Sequence, residues 1–119
     1  MKTIVLVDDV AIANFIMKKM VSTVSPGAMI YDFISSKSAL DSLAQIKPDL
    51  IFLDLNMPDM DGFQFLNAMK DRNLHYKVII LSSSTSDIDK QQASVYKNVI
   101  GYHIKPLEKE PLQKILASL

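Results

Sequence analysis

Acidic, hydroxyl and amino side chains follow the apolar runs of this 119-residue sequence, where they could do chemistry together. Asp8 and Asp9 follow one run, Asp54 follows another, and Ser82 and Lys105 follow two later runs. Three neighbouring carboxylates would repel each other by roughly 4 kcal/mol per close pair at an effective dielectric near 20. A fold keeps such a group only if protons or a cation compensate, and hard oxygen ligands favour Mg²⁺.

A phosphoryl group on Asp54 would use the remaining side chains. The Ser82 hydroxyl and the Lys105 ammonium could each bind one of its oxygens, and charge-assisted contacts of this kind are the stronger hydrogen bonds. Each residue alone also has an ordinary explanation. Asp8 or Asp9 could cap the next helix, Ser82 could be a turn serine, and Lys105 could be a solvated lysine. Their positions after successive apolar runs favour a shared site.

Five apolar runs predict five strands, at residues 3–7, 29–33, 50–53, 78–81 and 99–104. The run at 50–53 has no polar alternation, which is typical of a parallel strand covered on both faces. Pro58 and Gly62 then break the strand and turn the chain. A carboxylate such as Asp54, at the carboxyl end of a buried parallel strand, lies where open α/β sheets bind their ligands.

Helical spacing of apolar residues separates the strands. Ile12, Ile16 and Met20 predict the core face of the first helix, with Phe15 beside them. Further helices are predicted from Ser35–Ser36, after Gly62, from about Asp87 to Tyr96, and from Pro106 to the last residue. The fourth helix has few apolar residues, so we expect it to be lightly anchored. The alternation predicts an α/β fold, a doubly wound parallel sheet with helices on both faces.

Length and composition predict one globular domain covering residues 1–119. Thirteen basic and thirteen acidic residues cancel, which argues against direct binding to nucleic acid or to anionic lipid. The sequence contains no cysteine, so disulfides and thiolate metal sites are excluded. The apolar run before Asp8 is too short for a signal peptide or a membrane span. We therefore expect a cytoplasmic protein without membrane insertion.

In this order, the residues resemble the receiver domain of bacterial two-component response regulators. The resemblance covers the whole chain and rests on Asp8–Asp9, the segment 54–62, Ser82, Tyr102 and Lys105–Pro106. It implies a flavodoxin-like receiver fold, with five parallel strands in the order 2-1-3-4-5 and five helices. A stand-alone regulator of the chemotaxis type is the nearest comparison within that family.

The resemblance also implies a role for the site residues. Asp54 resembles the phosphoacceptor, a carboxylate nucleophile that forms an acyl phosphate. Asp9 would ligate Mg²⁺ (or Mn²⁺) directly, Asp8 would act mainly through water, and the main-chain carbonyl of Asn56 would be a further ligand. Lys105 would pair with a phosphoryl oxygen.

A second group of residues resembles the switch of the family. Ser82 matches the switch hydroxyl, and Tyr102 matches the aromatic residue that turns inward when this hydroxyl moves. Lys105–Pro106 matches a peptide bond that the family holds in cis. Threonine is common where Ser82 stands, so the stiff β-branch is missing here. Asn56 and Ser84 fall where the family tunes the lifetime of the phosphoryl group.

The function implied is phosphorelay signalling. A phosphohistidine on a sensor histidine kinase or a histidine phosphotransfer protein would donate to Asp54. The surface of the fourth helix and fifth strand would then change and control a downstream protein target. The chain would be no enzyme beyond its own phosphorylation and dephosphorylation. Four polar residues of the fourth helix could form a partner face or a solvated face: Asp87, Asp89, Lys90 and Gln92.

Three other functions fit parts of the pattern. A haloacid-dehalogenase-type phosphatase also uses an aspartate nucleophile at a strand end, but it needs a second aspartate where Asn56 stands. A flavodoxin-like electron carrier could use the hydroxyl-rich segment 82–86, although that segment lacks glycine. A receiver fold that serves only for docking would not need the intact set of polar residues. Turnover of phosphomonoesters would favour the first function, and a yellow purified protein would favour the second.

Overall fold

Five parallel strands form the central layer of the computed structural model, which describes residues 2–119. The strands are Thr3–Val7 (β1), Met29–Phe33 (β2), Leu50–Leu53 (β3), Val78–Ser82 (β4) and Val99–Ile104 (β5). Their order in the sheet is β2-β1-β3-β4-β5. The predicted α/β fold and its 2-1-3-4-5 order are therefore confirmed.

Five helices cover the two faces of the sheet. They are Ala11–Val24 (α1), Ser36–Ile46 (α2), Gly62–Asp71 (α3), Asp87–Ser94 (α4) and Lys109–Ala117 (α5). Alternate residues of β1 enter two separate cores: Val5 and Val7 pack with α2 and α3, whereas Ile4 and Leu6 pack with α1 and α5. Burial on both faces explains the unbroken apolar runs of the inner strands.

The register of the strands brings their carboxyl ends to one edge. β1 pairs with β3 from Ile4 opposite Leu50 to Val7 opposite Leu53, so the following residues leave the sheet at the same level. At the same edge, β4 and β5 are joined by the Lys105 N–H, which donates a 2.8 Å hydrogen bond to the carbonyl of Ser82. This edge is where open parallel sheets bind ligands.

The predicted core face of α1 is wrong for two of its three residues. Ile12, Phe15 and Ile16 are 62%, 54% and 54% exposed. The residues that α1 turns toward the core are Asn14, Met17, Met20, Val21 and Val24. The sequence carries two apolar stripes on this helix, and only one of them can face the sheet. The buried stripe also includes the polar residue Asn14.

Two predicted helix ends also differ from the structure. α5 begins at Lys109 instead of Pro106, because residues 105–108 carry the chain from the sheet edge to the helix layer, with Leu107 buried in the α1–α5 core. α4 ends at Ser94, two residues before Tyr96. The Lys105–Pro106 peptide bond is cis, as the resemblance implied. Within residues 2–119, no helix combines the length and apolarity that crossing a bilayer requires.

Candidate functional site

Three carboxylates meet at the carboxyl edge of the sheet. Asp8, Asp9 and Asp54 each place one oxygen within 4.8 Å of the others, and we call these residues the acidic cluster. Asp8 and Asp54 are each only 7% exposed, whereas Asp9 faces solvent. Since β1 and β3 are neighbours, the pairing of these strands brings together residues that lie 46 positions apart. The N-cap of α1 is Val10, so none of the three aspartates is the capping residue of this helix.

Lys105 reaches the acidic cluster from the end of β5. Its Nζ lies 2.5 Å from Oδ2 of Asp8 and 3.4 Å from Oδ2 of Asp54. The lysine side chain is partly buried, so the ion pairs are shielded from much of the solvent. The structure thus brings Lys105 into contact with two carboxylates that precede it by 97 and 51 residues.

The ionisation of Asp54 and Lys105 reflects this crowding. Burial has the largest influence on the Asp54 carboxyl and raises its pKa, and the charge of Asp8 raises it further against the opposing effect of Lys105. Burial alone would lower the pKa of Lys105, but the hydrogen bond to Asp8 and the charges of both carboxylates outweigh it and raise that pKa. Lys105 therefore stays charged at neutral pH, whereas ionisation of the buried Asp54 lowers the stability of the folded protein.

The donor set of the cluster fits a hard divalent cation. Three carboxylates against one ammonium leave two negative charges, which a dication would neutralise. All the ligand atoms are oxygens, as Mg²⁺ or Mn²⁺ prefers. Asp9 is exposed and can bind an ion that arrives from solvent.

Asn14 positions the first half of the cluster, and the sequence analysis missed it. Its Nδ2 donates to the carbonyls of Asp8 and Phe33, both at 3.0 Å, from a fully buried position on α1. The Asp8 N–H also donates to the Phe33 carbonyl. The ends of β1 and β2 are thereby tied to the helix that follows Asp9. An asparagine on an otherwise apolar helix face is a signal that could have identified this residue.

Gly62 positions the second half of the cluster. A Cβ at this position would lie 2.7 Å from Cδ2 of Leu55, 2.8 Å from its Cα and 2.9 Å from the carbonyl oxygen of Asp54. The first turn of α3 therefore packs directly on the backbone that carries Asp54. Asn56 is exposed and donates its N–H to Oδ1 of Asp54 at 3.3 Å.

The hydroxyl and aromatic residues lie on β4 and β5, beside the cluster. Ser82 ends β4 and is fully buried, and its Oγ accepts the N–H of Ser84 at 3.1 Å. Tyr102 is half-buried and packs against the core of α2 and α3. Its hydroxyl donates to the carbonyl of Ser84 at 2.9 Å. Both side chains thus contact the same loop residue.

Comparison with known proteins identifies matches along nearly the whole chain. The family model described as "Response regulator receiver domain" matches residues 4–117. The nitrate/nitrite response regulator protein NarL of Escherichia coli is 29% identical over 114 residues, which are 96% of this chain and 52% of that protein. A protein-glutamate methylesterase/protein-glutamine glutaminase of Treponema denticola is 40% identical over 81 residues, 67% of this chain and 22% of that protein.

A solved structure has the same fold. The chemotaxis protein CheY4 of Vibrio cholerae superimposes with a TM-score of 0.85 at 24% identity, covering 99% of this chain and 98% of that one. Both curated relatives are longer than this chain, which spans about half of NarL and about a fifth of the methylesterase.

Proposed function

The chain belongs to the response regulator receiver domain family, and we propose that Asp54 is its phosphoacceptor in a phosphorelay. Receiver domains of two-component response regulators act in such signalling. The observation that carries the proposal is the placement of Asp54 between Lys105 and two further carboxylates at the ligand-binding edge of the sheet. A nucleophile with a cation beside it is the arrangement that phosphoryl transfer needs.

In the transfer step, an oxygen of the Asp54 carboxylate attacks the phosphorus of a phosphohistidine. A phosphorus–oxygen bond forms as the phosphorus–nitrogen bond breaks, and the electron pair of that bond stays on the imidazole of the donor. Lys105 pairs with an oxygen of the transferred group, and the Ser82 hydroxyl donates to another. Since Ser82 is the last residue of β4 and Lys105 directly follows β5, the sheet holds both side chains in place, and positioning supplies much of the catalysis.

The acidic cluster would hold Mg²⁺ or Mn²⁺ through Asp9, Asp54 and the carbonyl of Asn56, with Asp8 acting mainly through water. When bound, this ion would supply the positive charge that shields the phosphoryl oxygens from the nearby carboxylates. Asp8 is meanwhile paired with Lys105, which leaves the exposed Asp9 as the side chain most open to an ion.

Phosphorylation adds a charge of about −1.5 to −2 and three strong acceptors. The Ser82 hydroxyl moves toward the new acceptors, and Tyr102 adjusts with the loop that follows β4. The output surface is α4 and β5, where Ile88, Val95 and Ile104 are exposed. α4 buries only Ala93, so this helix can shift at little cost in packing.

The donor docks on α1, because an apolar surface begins there beside the acidic cluster. Ile12, Phe15 and Ile16 form this surface, which we call the α1 patch. The patch starts three residues after Asp9, and Lys19 stands over the ring of Phe15 at 4.9 Å from its centroid. A protein that brings phosphohistidine to Asp54 must approach this rim of the sheet. A sensor histidine kinase or a histidine phosphotransfer protein is the proposed occupant.

The proposal includes a stand-alone, cytoplasmic role in which the receiver itself contacts the downstream target, without nucleic acid and without enzymatic activity beyond its own phosphorylation and dephosphorylation. Chemotaxis is one pathway of this kind. The mass of the native protein in cells, measured by immunoblotting, tests the single-domain part. A band well above 13.3 kDa would reject it and leave the site chemistry intact.

Incubation with acetyl phosphate and Mg²⁺ tests the phosphoacceptor. We expect one phosphoryl group per chain by intact-mass spectrometry, none in Asp54→Asn, and undiminished incorporation in Asp49→Asn. Incorporation that persists in Asp54→Asn would reject the assignment. Continuous release of phosphate from phosphomonoesters would instead favour the phosphatase alternative. That class of enzyme needs an aspartate at the position where this chain has Asn56.

A further inference from the structure

Ser84 contacts three different elements through three different atoms. Its N–H donates to Oγ of Ser82 at 3.1 Å, and its carbonyl accepts the Tyr102 hydroxyl at 2.9 Å. Its own hydroxyl donates to Oδ2 of Asp89 at 2.6 Å, in the first turn of α4. The same hydroxyl oxygen accepts the N–H of Ser86, the N-cap of α4. One loop residue therefore joins the ends of β4 and β5 to α4.

The bond to Asp89 is the shortest of these contacts. A hydroxyl that donates to a carboxylate forms a charge-assisted hydrogen bond, which is shorter and stronger than a neutral one. The Ser84–Asp89 pair is also partly buried, so water competes with it less than at an open surface. This bond is therefore the strongest of the contacts that Ser84 makes.

α4 has few other attachments that would resist such a pull. Ala93 is its one buried residue, and Ile88 is 74% exposed. Two residues beyond the C-terminal end of the helix, the Tyr96 hydroxyl donates to Oδ1 of Asn67 on α3 at 2.8 Å. Because the one buried residue of α4 lies near its C-terminal end and Ser84 is bonded to its first turn, the N-terminal end of the helix can follow a displacement of the loop after β4.

We propose that Asp89 is a positioning residue that couples α4 to the switch hydroxyl through Ser84. This inference rests on the proposed function, since it takes Ser82 as the group that moves on phosphorylation. Displacement of Ser82 draws the Ser84 N–H with it, and the Ser84–Asp89 bond passes the displacement to the first turn of α4. The output surface then responds as one unit, with Tyr102 following through the Ser84 carbonyl.

A comparison of Asp89 with Asp87 distinguishes the coupling role from the general effect of a carboxylate in the first turn of a helix. Asp87 and Asp89 both lie in the first turn of α4, so both interact favourably with the helix dipole. The structure gives only Asp89 a bond to Ser84. Loss of either carboxylate removes one charge from the same turn, but only the loss of Asp89 cuts the connection to the loop.

The test follows backbone amides of ¹⁵N-labelled protein by NMR while beryllofluoride, a phosphoryl mimic, is added with Mg²⁺. In wild type we expect shifts both around Asp54 and along α4. In Asp89→Ala and in Ser84→Ala, amides around Asp54 should shift as in wild type, while those of α4 should shift at least threefold less. Asp87→Ala should match wild type. Asp89→Asn should restore part of the response, because its amide oxygen can still accept the Ser84 hydroxyl, although in a weaker neutral bond.

The outcomes separate this inference from the proposed function. A wild-type protein without any beryllofluoride response would reject the phosphoacceptor proposal itself. A wild-type response that Asp89→Ala leaves undiminished along α4, or that Asp87→Ala reduces equally, would reject the coupling role. Failure of Asp89→Asn to restore the response would also reject it. If Asp89→Ala frays α4, judged from the free protein's carbon shifts, Ser84→Ala decides alone because it keeps both acids of the first turn.

Discussion

Asp54 combines a buried position with a charge that the fold only partly compensates. Burial and Asp8 raise its pKa in the folded protein above the ordinary value of 3.8. The folded protein therefore holds a proton on Asp54 to a higher pH than the unfolded chain does. Ionisation costs no stability below the unfolded pKa, an increasing amount between the two pKa values, and a constant amount above the folded one. The site keeps a nucleophile at the expense of stability.

Replacement of Asp54 by asparagine should therefore stabilise the protein when divalent cations are chelated. At pH 7.5 we expect Asp54→Asn to raise the melting temperature by roughly 2–6 °C, corresponding to about 1 kcal/mol or less in a domain of this size. The gain should shrink as the pH falls through the raised pKa of Asp54, because below it both proteins carry an uncharged group at this position. Thermal unfolding followed by circular dichroism measures both effects.

Mg²⁺ provides the internal control for this experiment. An ion that binds only the folded state stabilises it by mass action, so millimolar Mg²⁺ should raise the melting temperature of wild type more than that of Asp54→Asn. Asp87→Asn removes a carboxylate from an exposed position and should therefore not raise the melting temperature. A melting temperature that drops in Asp54→Asn at pH 7.5 would show that the pairing with Lys105 outweighs burial.

The helices that follow the acidic residues hold the site as rigid elements. α3 begins with a capping box, in which Asp61 and Gln64 each accept the other's backbone N–H. Gly62 then lies against the backbone of Asp54 and Leu55 with no room for a side chain. The loop between Asp54 and α3 is thus held at both ends, which limits where Asn56 can place its carbonyl.

Gly62→Ala should damage the site and the fold together. The added methyl would meet backbone atoms that cannot rotate away, and overpacking of this kind costs about 1–3 kcal/mol. We expect a lower midpoint in urea unfolding and slower incorporation from acetyl phosphate, since the Asp54 carbonyl must move. Gly27→Ala is the matched control. A Cβ at Gly27 meets no atom within 4 Å, so that variant should be neutral or more stable by about 0.4–1 kcal/mol. Equal stability of the two variants would contradict the steric argument.

At the scale of the whole molecule, the exposed apolar residues include two groups that matter for the proposed function. The α1 patch lies on one side, and the residues of α4 and β5 lie on the other. α1 packs with α5 on one face of the sheet, whereas α4 belongs to the core on the other face. One area can therefore receive a phosphoryl donor while the other presents an altered surface to a target, and a donor and a target need not compete for the same side chains.

Removal of the α1 patch should slow phosphorylation by a protein but not by a small molecule. For Phe15→Ser and Ile12→Ser we expect kcat/KM with a phosphorylated histidine donor to fall about tenfold, the loss of roughly 1.4 kcal/mol of binding. Incorporation from acetyl phosphate should stay within about twofold of wild type. Ile88→Ser, which changes an exposed apolar residue of α4, is the control and should leave both rates unchanged. A loss with both donors would place these residues in the chemistry instead of in docking.

The sequence determined the strands, their alternation with helices and the polar residues at the strand ends, because these features follow from local apolar runs and from breakers such as Pro58. The helix start predicted at Ser35–Ser36 is local in the same way, since the Ser35 hydroxyl accepts the N–H of Ser38 and caps α2. The family resemblance supplied the strand order, which no local pattern contains. Asp8, Asp54 and Lys105 were expected at one edge for this reason, although 97 residues separate the first from the last.

Tertiary structure alone decided which of two apolar stripes α1 buries. The stripe that starts at Ile12 and the stripe that starts at Met17 both have helical spacing, and only the sheet beneath the helix selects the second. It also decided the partners of Asn14 and Ser84. A side-chain amide or hydroxyl reads as polar in any sequence, and whether it is buried depends on carbonyls and carboxylates that other elements bring to it. Periodicity along a chain records which residues can face a core, whereas contacts between elements determine which residues do.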